Sequence, residues 1–180
     1  ARAQRGFMDG EVTPEQARRI LDMLTQGGAM EDINTPLALR LIPLALELED
    51  EALADRLLLH AKEHAADEIE SGWATFETLK MTNASIDELS ELTAKAELIE
   101  QGEPLSAAVA HHVALLHMAN ESYEEAQMFA SRSLRLREKT DDTNGIVYGL
   151  ALLEALAKKQ HLHETALIHA SRRIELLMKL

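Results

Sequence analysis

The run His60-Ala61-Lys62-Glu63-His64 holds the residue types and the spacing that could do chemistry. Histidines four apart share one face of a helix, and two imidazoles on one face can hold a zinc ion. The order H-x-x-E-H is that of the inverted zinc proteases. Glu68 lies one turn further along the same face and is the available third ligand. A zinc-dependent hydrolase using His60, Glu63 and His64 is therefore one reading. It would also need a pocket that excludes water, and the chain is short for such an enzyme. With 8 His and 31 acidic residues in helix-forming sequence, a solvated helix face explains the spacing as well. The expectation is no metal, no cofactor, no catalytic residue and no enzyme.

The remaining candidates are weaker. His111, His112 and His117 sit on one presumed helix, and His161, His163 and His169 are scattered near the C-terminal one. None pairs with a nucleophile. The chain has no Cys, no G-x-S-x-G elbow, and no Lys-Ser/Thr after Gly27-Gly28 to make a phosphate loop. Trp73 and Phe76 could be a docking anchor, but a core pair is the simpler role in a chain with 3% aromatics. Glu47, Glu49, Asp50 and Glu51 read as a helix-to-helix turn with acidic residues at the next N-terminus.

The elements that must position these residues are helices. Leu and Ala dominate and strand formers are sparse across the 180 residues. Residues 1–12 read as a mobile segment, and 13–180 as one helical domain. Thr13 with Gln16 makes a capping box, Pro14 suits the first helical position, and Ile20, Leu21 and Leu24 form the stripe up to Gly27-Gly28. Thr35-Pro36 repeats the start signal, and Pro43 should kink or divide the helix that follows. Asp50 should cap the next helix, with Leu53, Leu57, Leu58 and Ala61 inward. Ser71-Gly72 reads as an interruption. Ser85 with Glu88 forms a second capping box, and that helix ends near Gln101-Gly102. Pro104 opens the next one. Eight or nine helices result, joined by short turns.

The net charge of −13 argues against nucleic acid and against anionic membrane surfaces, and favours a basic partner. No apolar run approaches a membrane span. A cysteine-free chain without a signal peptide fits the cytoplasm, and the absence of Cys fits a bacterial periplasm as well. The first residue is not Met, so the chain is read as a fragment or a processed product.

The sequence also echoes itself. Glu124, Ala126, Ala130, Ser131, Arg132 and Leu136 recur forty residues later as Glu164, Ala166, Ala170, Ser171, Arg172 and Leu176, and Met128 and Leu134 recur as Ile168 and Ile174. Repetition at this period is the signature of stacked helical hairpins. Tyr123-Glu-Glu-Ala126, with Val113 and Ala114 upstream, resembles the tetratricopeptide repeat, in its longer form from bacterial signalling proteins. The clearest repeats cover 104–138 and 145–180. His117 stands where that family prefers an aromatic, and Ser133 where it prefers alanine. The resemblance implies an all-α fold, a right-handed helical-hairpin stack, with Ala114 facing Ala126 across a close crossing. It also implies a concave groove lined by Ala108, His111, Leu115, Met118 and Ala119, then by Tyr148, Ala151, Ala155, Lys158 and Lys159. In that register Glu154 falls at a small crossing position.

The function implied is a protein-interaction scaffold binding a peptide or partner helix. The alternative is a regulatory sensor module of a larger signalling or transcription protein. The last helix carries Leu167, Ile174, Leu176, Leu177, Met178 and Leu180, more apolar surface than one inward stripe needs. Helical stacks normally end in a polar cap. A homodimer through this helix, or further repeats in a longer parent chain, is expected.

Overall fold

A computed structural model describes residues 13–25 and 29–179. Residues 1–12, the stop at Gly27-Gly28 and the apolar end at Leu180 lie outside it. The described residues form nine α-helices and no strand, and fall into two compact units, one ending at Met81 and the other beginning at Thr82.

The first unit contains α1 (Pro14–Thr25), a 3-10 turn (Ala29–Asp32), α2 (Thr35–Glu47), α3 (Glu51–Glu63) and α4 (Glu68–Met81). Its helices begin where side chains satisfy the free N–H groups of a helix start. Thr13 and Gln16 cap each other reciprocally at 2.8 and 3.2 Å. Asp50 accepts from the Leu53 N–H at 3.0 Å and also pairs with Arg18; that contact, with the Leu53 bond, holds its carboxyl below the usual range. α2 packs chiefly on α3 around Ala38, Leu41, Ile42, Ala45, Leu53, Ala54, Leu57 and Leu58. On α1, Leu21 is buried, Leu24 packs against the core and Ile20 faces solvent, so the inward stripe runs through Ala17, Leu21, Leu24 and Thr25.

Three expectations need correction here. Asn34, rather than Thr35, caps α2, through the Leu37 N–H at 3.0 Å; Thr35 is the first helical residue and is buried, its hydroxyl donating to the Ala61 carbonyl. Pro43 does not divide α2. Ser71-Gly72 does not interrupt α4, which runs unbroken from Glu68. Gly72 is buried within it, and α4 packs on both α2 and α3. Its true start is Asp67, which accepts from the Glu70 N–H at 2.8 Å while Glu70 accepts from the Ala66 N–H.

The second unit contains α5 (Ile86–Ala96), α6 (Glu103–Ala119), α7 (Tyr123–Lys139), α8 (Thr143–Lys159) and α9 (His163–Leu177). Ser85 and Glu88 form the expected capping box on α5. Successive helices pack on one another throughout, and α6 also touches α8. Ala114, Ala126, Ala130, Leu134, Leu150, Leu152, Leu153 and Leu156 make one core, with Ala114 and Ala126 at 0% exposure. Ser133 is buried and bonds the Ala107 carbonyl at 2.7 Å, while His117 stacks on Phe129 at 5.5 Å, as an aromatic would. Arg132 pairs with Glu97 and Arg172 with Glu138, so the echo repeats an ion pair as well as a sequence.

α6, α7 and α8 are each 17 residues long and end identically. Glu121, Asp141 and His161 take positive φ of 61°, 52° and 59°. The N–H of the following residue reaches back five positions: Ser122 to His117, Asp142 to Arg137, Leu162 to Ala157. This hydrogen-bonded stop normally carries glycine at its left-handed position, because a Cβ there crowds the backbone. Glu121→Gly is therefore expected to stabilise the chain, by about 0.5–1 kcal/mol after the added freedom of the unfolded chain is counted. Urea unfolding with an unchanged m-value checks it, and a lower midpoint would disprove it.

Candidate functional site

The geometry of the zinc motif is decided by the first unit's core. His60 is buried, and its Nε2 lies 2.7 Å from the Ile33 carbonyl oxygen. His64 closes α3, its Nδ1 2.9 Å from the His60 carbonyl, and its ring stacks on that of His60 at 4.1 Å. Glu63 and Glu68 are exposed. One histidine therefore ties α3 to Ile33, just ahead of the α2 cap, and the other finishes its own helix. Among the described residues no group of three His, Asp or Glu is placed to hold a metal. Phe76 is buried and Trp73 half-buried, with ring centroids 6.2 Å apart, which is a core pair.

The ten groove residues fall on α6 and α8, the two alternate helices of the second unit that touch. Their spacing of three and four keeps each set on one face of its helix. On α6, Leu115 and Ala119 are exposed and Ala108, His111 and Met118 half-buried; on α8, Tyr148, Lys158 and Lys159 are exposed and Ala151 and Ala155 half-buried. The opposite faces supply the core through Val109, Ala110, Val113, Leu150, Leu153 and Leu156. What remains accessible is a small-residue surface bearing Leu115 and Tyr148, with two lysines toward one end.

Two polar arrangements support this surface, and neither is visible in composition or motif. Glu154 stands in the α8 core face at 8% exposure and is matched by Lys158 at 2.5 Å and Arg173 at 2.8 Å. The hydrogen bond from Lys158 is the main cause that holds its carboxyl below the usual range, with Arg173 adding to it. Burial of this carboxylate is tolerated because both oxygens are bonded. Lys158 is thus held by its own helix, and Lys159 is the less constrained cation. The second arrangement is His111 with Arg137. Arg137 donates to the Gly145 carbonyl at 2.5 Å, crossing from α7 to α8. Burial, then the nearby Arg137 and His112 charges, push His111 down to about 4, and its Nδ1 is buried without a hydrogen-bond partner. His111 is accordingly neutral at physiological pH.

Gly145 and Gly149 could have revealed the α7–α8 junction. A Cβ on Gly145 would sit 2.0 Å from an Asp142 oxygen, the same side chain whose other oxygen caps α8 at the Gly145 N–H. A Cβ on Gly149 would meet Leu134 Cδ1 at 3.3 Å. Gly145 therefore belongs to the first turn of α8 and not to the loop before it.

A shallow depression of about 300 Å³, lined by Ala84, Ser85, Ile86, Asp87, Leu116 and Asn120, touches none of the groove residues. Among the described residues no helix is long and apolar enough to cross a membrane. No protein-family model matches the chain, and no match to it is found among curated proteins.

Proposed function

We propose that the second unit is a docking module of tetratricopeptide-like build, a right-handed stack of helical hairpins, and that the chain acts by binding and not by catalysis. Its α6 and α8 present the groove for a short peptide or partner helix. The observation that carries this reading is the matched pair of exposed faces on two touching helices that stand forty residues apart. Small residues such as Ala108, Ala151 and Ala155 let a ligand backbone come close. Leu115 and Tyr148 supply apolar anchors, the residue types that dominate recognition energy when desolvated. The chain's charge of −13 would steer a basic partner toward it.

Panning a peptide display library against the chain tests the proposal. Recovered peptides should lose about tenfold or more in affinity, on the order of 1.4 kcal/mol, on Leu115→Glu or Tyr148→Ser. Both positions are exposed, so these variants are expected to keep the wild-type circular dichroism. Peptides that bind both variants as well as wild type would sink the groove.

A further inference from the structure

The echo that relates α7 to α9 gives a template for an uncovered flank of α9. On α7 the residues Ala130, Leu134 and Arg137 line one flank, and α8 seats there. α8 does so by bringing two glycines four residues apart, with Gly149 at Leu134 and Gly145 at Arg137. Ala130 is left at 0% exposure and Leu134 at 7%. Forty residues on, the same flank of α9 carries Ala170, Ile174 and Leu177, extended by Leu167 and Met178. Here Ile174 is 53% exposed, Leu177 47%, Leu167 66% and Met178 83%. The inward face of α9 is already engaged, with Ala166 buried and Leu176 packed on the core. The flank is therefore a copy of a helix-accepting surface on which, among the described residues, no helix seats. It is also more apolar than its original, since Leu177 replaces Arg137.

We propose that this flank of α9 docks a partner helix of α8 chemistry: amphipathic, with glycine or alanine at two positions four apart, bordered by leucines. The small residues would lie over Ile174 and Leu177 and let the axes approach, and the leucines would pack to either side, as helix-in-groove recognition uses anchors three and four apart. The site is separate from the α6–α8 groove and does not rest on that reading.

The probe is a labelled synthetic peptide of residues 142–160, the chain's own α8, titrated into the full chain by fluorescence anisotropy. Saturable binding is expected, weakened about tenfold or more by Ile174→Glu in the protein and by Gly145→Leu with Gly149→Leu in the peptide. Ile168→Glu, on the outer face of α9, should leave it unchanged. If Ile174→Glu alters the circular dichroism, Leu167→Glu serves in its place. Absence of binding, or binding indifferent to the flank substitution, overturns the proposal. So does light scattering that shows a dimer of the chain alone, dissolved by Ile174→Glu, because the flank is then taken by a second copy.

Discussion

Replacing Ala126 with leucine should destabilise the second unit by about 1–3 kcal/mol, a fall in melting temperature of roughly 5–20 °C. Ala126 has no exposed surface and shares one core with Ala114, Ala130 and Leu134. Three added carbons have no cavity to enter, so α6 and α7 must part or neighbouring side chains must leave their rotamers. The control is Gln127→Leu, one residue along α7 and exposed, where the same side chain meets solvent. An Ala126→Leu protein that melts with wild type would show that the two helices do not approach closely there.

Acid should weaken the fold through His111 before the carboxylates titrate. The ordinary value of its imidazole is 6.5, and burial brings it to about 4 in the folded chain. The unfolded chain then binds more protons between these values, so stability is complete above about pH 6.5 and declines as pH falls toward 4. Below that both states are protonated and the loss stops growing. With allowance for partial exposure the loss is about 2–3 kcal/mol. Arg137 and His112 face the imidazole and oppose its charging. His169 shifts in the same direction, mainly by burial, so the comparison must be with a His111→Gln chain. As pH falls from 6.5 to 4.5 the wild type should lose unfolding free energy relative to the His111→Gln chain. A constant difference would mean that His111 is free to protonate in the fold.

The helix starts were legible where a side chain closes them locally. Thr13 with Gln16, Asp50, and Ser85 with Glu88 each act within four residues, so sequence spacing carries the geometry. The face of α6 and α8 turned from the core was legible for a similar reason, since burial follows the helical period. Misreadings occurred where a long-range contact overrides a local rule. Gly72 looked like a breaker, yet it lies buried in α4, which packs on two helices, and Asp67 had already supplied the cap. Glu121, Asp141 and His161 could not be read as helix stops, because none is a glycine and their left-handed backbone goes with the bond that the next residue's N–H makes five positions back. The roles of Arg137 and Arg173 depend on which helices meet, and residue type alone does not announce that.

Within the second unit each helix packs chiefly on its neighbours in the chain, with α6–α8 the contact that skips one. Contacts so close in sequence require little loop closure before they form, which belongs to the fast end of folding. The same arrangement sets how the unit breathes. Among the described residues α5 and α9 are each held by one helix, whereas α6, α7 and α8 are each held by two or more. Thermal opening therefore begins at α5 and α9 and reaches the three helices between them last.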